Sequence, residues 1–239
     1  MKKLFYILSL LVFLSVSLLL VYSTSKFNKI SYKDFSKPEI WKHHVNDISE
    51  LYRYYNYGYK GIEFDVRYFQ GKGIFVTHDT VSDNKIDSLI SIKDYLSELG
   101  NKINYWVDFK NLDSKNVEQT IDYFNLYLDD KSILNNLYIE SRDAAALGRL
   151  KEAFPNINTM LYIKRFGETR YLHRLYFYKF NIYKNNIDSV TTSIDRYNSV
   201  FIKDFKNLNL FVYDVNDRKI AEGLVYDGVD IILTDSIEP

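Results

Sequence analysis

The sequence predicts an α/β fold, a compact (β/α)8 TIM barrel preceded by an N-terminal transmembrane or signal segment. Three observations carry that prediction. Beyond residue 30, eight strand-like apolar runs alternate with seven amphipathic helical patterns, the alternation expected of parallel strands joined by right-handed crossovers. No Gly/Ser linker, low-complexity tract or charge block interrupts this stretch, so one domain is expected and eight strands favour closure into a barrel over an open, doubly wound sheet. The first 25 residues differ in kind, which divides the chain into a membrane anchor or signal segment at 1–25 and the barrel at 26–239.

Met1, Lys2 and Lys3 precede a run without charge from Leu4 to Ser25. A spanning helix needs about 20 apolar residues and a cleavable signal core about 7 to 15, so the length favours a retained anchor over a cleaved signal. Val21 and Ser23 offer a small-residue cleavage pattern, but no Ala-x-Ala is present. Lys26, Lys29 and Lys33 follow the run and balance the lysines before it, leaving orientation open. The expected location is a membrane, through this single segment, or outside the cell after export.

The strands are predicted at Ile40–His43, Gly61–Arg67, Ile103–Phe109, Leu137–Glu140, Thr159–Ile163, Ser189–Ile194, Leu208–Tyr213 and Val229–Leu233. Helical patterns lie between them at Asp47–Tyr57, Ile92–Leu99, Ser114–Leu128, Arg142–Phe154, Glu168–Tyr183, Arg196–Phe205 and Asp217–Gly223. Gly100 and Pro155 stop two of these helices. Apolar residues three or four apart, as in Val117, Ile121, Phe124 and Leu128, give each helix one core-facing side. "GKGIFVTHD", Gly71 to Asp79, adds a short strand behind a Gly-Lys-Gly turn.

Composition narrows the chemistry. Lys plus Arg and Asp plus Glu are both 31, giving a formal net charge of zero. No global field therefore recommends nucleic acid, and none is expected as a partner. The absence of cysteine removes disulfides, thiolate metal sites, lipid attachment through cysteine and cysteine nucleophiles.

Charge logic must then be local, and "GIEFDVRYF" shows it. Alternation along a strand points Glu63 and Asp65 to the same side, separated by about 6 to 7 Å of backbone. In "YWVDFKN", Asp108 and Lys110 share a face in the same way, with Val107 and Phe109 on the other. Three carboxylates facing into a barrel repel one another and lose hydration, which a hard divalent cation such as Ca²⁺ or Mg²⁺ reconciles, with Lys110 assisting. His43 and His44 close the first strand in "WKHHVND", and His78 ends the short strand in "FVTHD". Imidazoles titrate near neutrality, so two of them facing one substrate can divide the work of general base and general acid.

The order "HHVND", "GIEFDV", "VTHD", "VDFKN", "FVYDVND" and "GVDIILTD" resembles the glycerophosphodiester phosphodiesterase family, within the phospholipase-C-like phosphodiesterase superfamily, over nearly all of the chain after residue 25. "W-x-H-x-x-N" and "x-D-x-K-N" also resemble a divergent branch of that superfamily. The resemblance implies a metal-dependent phosphoric diester hydrolase. His43 and His78 would be its acid/base pair, Glu63, Asp65 and Asp108 its ligands to Ca²⁺ or Mg²⁺, and Lys110 a catalytic cation on the phosphate side. The spacing to Asn46 selects His43 over its neighbour. His44, Lys110 and Tyr213 would contact substrate, which is a glycerophosphodiester, a lysophospholipid or a phosphate-linked glycan, placing the chain in lipid metabolism or a related process. Departures from the family pattern are His44 where it has Arg, Asp108 for Glu, Tyr213 for Trp, and the missing insertion after His-Asp.

Two other readings stand beside this one: an inactive binding or scaffold protein on the same barrel, and a glycoside hydrolase using Glu63 and Asp108. The basic, aromatic helix from Arg170 to Asn186 reads as an outer-ring helix with His173 on its surface, with contact to a membrane surface or a partner as the alternative. Glu140 and Arg142, after the fourth strand in "YIESRDAAAL", are within reach of the site, with an ion pair as the preferred reading.

Overall fold

The computed structural model describes residues 2–27, 37–128, 131–164 and 168–239. Lys29 and Lys33 lie outside them, as does the side chain of His173. The expected barrel is present. Among the described residues its parallel strands are β1 (Glu39–Lys42), β2 (Gly61–Phe69), β4 (Asn104–Phe109), β5 (Leu137–Ser141), β6 (Asn158–Tyr162), β7 (Ser189–Ser193), β8 (Asn209–Tyr213) and β9 (Ile231–Thr234), while β3 (Gly73–Val76) runs antiparallel on β2 outside the ring. Pairing of β1 with both β9 and β2 closes the cylinder.

The helices are α1 (Lys2–Phe27), α2 (Ile48–Tyr57), α3 (Asp83–Ile86), α4 (Ile92–Leu99), α5 (Val117–Tyr127), α6 (Ala144–Ala153), α7 (Glu168–Lys184), α8 (Ser199–Phe205) and α9 (Arg218–Asp227). Asp47, Asp143 and Asp217 cap α2, α6 and α9 by accepting from the backbone N–H groups two and three residues on, which satisfies donors that the first helical turn leaves open. α9 runs four residues beyond the expected end at Gly223. A Cβ at Gly223 would meet open space, so that glycine is tolerated inside the helix, and Gly228, at φ 93°, supplies the left-handed cap.

Two cores follow from strand alternation. Outward residues such as Ile62, Phe64 and Val107 pack beneath the helices. Inward residues Trp41, Trp106, Tyr138, Met160, Phe211 and Ile231 fill the barrel, with Trp41 edge-on to Tyr138 at 5.2 Å and Trp106 edge-on to Phe211 at 5.2 Å. Gly61 makes room for this packing, since a Cβ there would lie 2.1 Å from the Trp41 ring. The aromatic plug leaves the carboxyl end of the barrel open above it.

α1 carries an apolar stretch, Phe5–Phe27, of 23 residues, long enough to cross a membrane and exposed along its length apart from its end. Phe27 is buried at that end. Its ring meets Phe205 edge-on at 6.1 Å and lies 5.5 Å from Lys179 Nζ, and its carbonyl accepts from Asn207 Nδ2 at 2.9 Å.

Candidate active site

The register places the acids together. Asp65 on β2 stands opposite Asp108 on β4, and Asp108 opposite Glu140 on β5. Ligand oxygens of Glu63, Asp65 and Asp108 all lie within 4.8 Å of one another. Lys110 reaches back over them, with Nζ 2.7 Å from Asp65 Oδ1 and 2.5 Å from Asp108 Oδ2. Burial, and then the charges of Asp65 and Asp108, drive the Glu63 carboxyl well above the usual carboxylate range. Burial raises Asp108 as well, against the pull of Lys110. For Lys110 burial works downward, but Asp108 and Asp65 outweigh it and hold the ammonium charged. Three acids this close, two of them with raised proton affinity and all sharing one lysine, offer gathered oxygen donors that suit a hard divalent cation.

The first strand supplies the histidines and the brace for the acids. Beyond Lys42 the chain turns through His44 at φ 55°, whose N–H donates to Glu63 Oε2 at 2.8 Å. Asn46 then pairs with Asp65 twice: its Nδ2 donates to Asp65 Oδ2 at 2.8 Å, and its Oδ1 accepts from the Asp65 N–H at 2.8 Å. Both carboxylates of β2 are therefore aimed by the "HHVN" segment.

His43 is buried between the acids and the end of β9. Its Nε2 is 3.8 Å from Glu63 Oε2, and its Nδ1 lies 3.3 Å from Asp235 Oδ1 and 3.6 Å from Asp214 Oδ1. Its ring stacks on His44 at 3.6 Å. Burial first, then the neighbouring His44, lowers its pKa to about 4 despite Asp235, so the imidazole is neutral at pH 7. Asp235 is itself held by Asn216, which accepts from its N–H at 2.8 Å. For this acid burial works upward, but His43 and then Asn216 bring its pKa below the ordinary value.

β3 returns His78 to the mouth. Thr77 N–H donates to Asp65 O at 2.9 Å, Arg67 Nε donates to the His78 carbonyl at 2.8 Å, and His78 Nδ1 sits 2.7 Å from Asp79 Oδ1. Unlike His43, this ring is mostly exposed.

A cavity of about 430 Å³ opens over these groups, lined by His43, His44, Glu63, His78, Asp108, Lys110 and Tyr213 among others. All the predicted site residues therefore line it except Asp65, which lies beneath it in contact with Lys110. The expected Glu140–Arg142 ion pair is corrected. Glu140 is buried, accepts from Trp106 Nε1 at 2.9 Å and faces the cavity, where burial and then Asp108 push its pKa up to about 8. Arg142 lies over the Tyr162 ring instead, at 5.0 Å. Glu140 was readable by extending the inward alternation to "LYIE"; Asn46 and Asp235 act from beyond strand ends, where alternation says nothing.

A closed parallel barrel with an acid- and imidazole-lined cavity at the carboxyl ends of its strands has the architecture on which barrel enzymes build their sites. No protein-family model matches the chain, and no curated protein does. Solved structures do match, and they agree with one another. A glycerophosphodiester phosphodiesterase from Parabacteroides distasonis superposes with a TM-score of 0.67 at 17% identity, over 83% of this chain and 93% of that one. One from Thermotoga maritima gives 0.61 at 18%, over 84% and 96%. A phosphodiesterase from Oleispira antarctica, in complex with the product sn-glycerol-3-phosphate, gives 0.61 at 13%, over 83% and 93%. The chain shares the fold of these enzymes.

Proposed function

We propose that this protein is a divalent-metal-dependent phosphodiester hydrolase of the glycerophosphodiester phosphodiesterase kind, a divergent member of that family held at a membrane by α1. The observation that carries the reading is the convergence of Glu63, Asp65 and Asp108 within 4.8 Å of one another beside His43 and Lys110, in the fold these enzymes use. A cation such as Ca²⁺ or Mg²⁺ held by the three carboxylates would neutralise charge on a non-bridging phosphate oxygen.

The chain's own groups supply the rest. His43, neutral because it is buried, accepts the proton of the attacking hydroxyl as the new P–O bond forms. His78, oriented by Asp79, donates a proton to the alcohol oxygen as the old P–O bond breaks. Lys110 adds positive charge on the phosphate side, and Tyr213, 6.1 Å from His43 ring to ring, walls the cavity. Water as the attacker yields a monoester; a neighbouring hydroxyl of the substrate yields a cyclic phosphate. Glycerophosphodiesters are the first substrate class to assay, with lysophospholipids and phosphate-linked glycans beside them.

The test is hydrolysis of a generic aryl phosphodiester and of glycerophosphodiesters, with and without chelator. Wild-type activity should vanish with chelator and return with cation. His43→Ala and His78→Ala should each lose about 10²- to 10⁴-fold. Full rate in both variants would remove the acid/base assignment, and hydrolysis of an aryl glycoside alone would remove the phosphodiesterase reading.

A further inference from the structure

On the β6 side of the cavity, beyond Glu140 of neighbouring β5, the polar groups are guanidiniums and phenols. Tyr162 ends β6, three strands round the barrel from β2, and its ring stands 6.2 Å from that of Tyr213. It is only 5% exposed, yet its hydroxyl has no hydrogen-bond partner, a state that costs free energy until a ligand relieves it. Two guanidiniums flank the same ring: Arg142, from the loop after β5, at 5.0 Å, and Arg196, from the turn after β7, at 5.7 Å. Arg196 stands behind the cavity's lining; among the described residues its one ion pair is a 3.9 Å contact with the exposed Asp195, and its charge also reaches Asp214. Among the described residues Arg142 has no carboxylate within ion-pairing distance, though it lies close enough to Asp108 to lower that group's pKa. Planar forks of this kind suit oxyanions.

A diester phosphate carries a single negative charge, and Lys110 already stands on its side of the cavity. Two further guanidiniums and an unmet hydroxyl exceed what that charge requires. We propose that Arg142, Arg196 and the Tyr162 hydroxyl form a second anion subsite, which takes a carboxylate or phosphate borne by one alcohol of the diester. The substrate class is thereby narrowed to diesters with a second acidic group. This inference rests on the phosphodiesterase reading.

The experiment compares kcat/KM for pairs that differ by one acidic group: glycerophosphoserine with glycerophosphoethanolamine, and glycerophosphoglycerol phosphate with glycerophosphoglycerol. The first pair reads a carboxylate and the second a phosphate. Wild type should favour the acidic member of at least one pair by about 10- to 100-fold, the range expected of charged hydrogen bonds. The R142A/R196A variant should bring the ratio close to one, with the neutral member changed by less than about threefold, and R142K/R196K should fall between because a lysine lacks the fork. A wild-type ratio near one in both pairs overturns the proposal. So does an equal loss on both members, which would assign the guanidiniums to the scissile phosphate. Calorimetric binding of O-phosphoserine against O-phosphoethanolamine to the same variants separates the two readings. Absent turnover of every diester sinks the phosphodiesterase reading, whereas equal binding of these two probes to wild type, together with equal binding of glycerol phosphate and glycerol bisphosphate, sinks the subsite.

Discussion

Replacing Lys110 by Met tests whether the three acids form one charged cluster. Lys110 Nζ touches Asp65 and Asp108 at 2.7 and 2.5 Å, and the Asp65 side chain is 1% exposed while that of Lys110 is 20% exposed. Removing one partner of a buried ion pair costs about 3 to 5 kcal/mol. Partial exposure of the lysine points to the lower end of that range, about 3 kcal/mol. A domain of this size loses about 2 to 4 °C in Tm per kcal/mol, so K110M should melt about 6 to 12 °C below wild type in chelator. A bound cation should reverse this. At 100 times its Kd a ligand adds about 2.7 kcal/mol, and the variant should bind cation more tightly because no ammonium competes for Asp65 and Asp108. The assay is thermal unfolding of the full chain in detergent, followed by circular dichroism, with chelator and then with Ca²⁺ or Mg²⁺. Equal melting of the two proteins in chelator, or equal gains on adding cation, would refute the reasoning.

Glu140→Gln should flatten the pH dependence of stability in chelator. Glu140 has its pKa raised from 4.5 to about 8 by burial and Asp108; the folded state holds this proton more tightly than the unfolded chain, so the wild-type contribution is full below about pH 4.5 and is lost as pH rises to about 8. Denaturant titrations at pH 5 and pH 8 should show a smaller difference for the variant, and an unchanged difference would place Glu140 outside the cluster. Gly61→Ala drives a methyl into the Trp41 ring and should cost about 1 to 3 kcal/mol or more, the range for overpacking; a wild-type Tm would show that the barrel interior yields easily. Asp47→Ala removes the Oδ1 that accepts from two backbone N–H groups at the start of α2 and should cost about 1 kcal/mol, read as a lower urea midpoint at unchanged slope.

Much of the barrel was legible because its signals are local. Alternation in Ile62, Glu63, Phe64 and Asp65 announced both a strand and its inward acids, and Gly100 ended α4 where it stood. Gly223 misled because a glycine without a neighbour near its Cβ position is silent about direction, and only the left-handed turn at Gly228 stops the helix. Within the site, the strand residues Glu63, Asp65 and Asp108 were legible for the same reason. Asn46 was visible as a motif residue but its double bond to Asp65 was not; Asp235 reaches His43 only across the β1–β9 seam, and Arg196 reaches Tyr162 from the turn after the neighbouring strand. The placement of Arg142 over Tyr162 rather than beside Glu140 likewise depends on strand order, which a dipeptide pattern does not carry.

The seam between β1 and β9 joins chain segments that are nearly two hundred residues apart, and His43 meets Asp235 across it. A polypeptide that has emerged only as far as β8 therefore has its acids in hand but an unfinished histidine pocket. Without β9 and Asp235 the described helices would all remain, but His43 would lose the carboxylate beside its Nδ1. The surroundings of His43 are thus complete only when the final stave is seated.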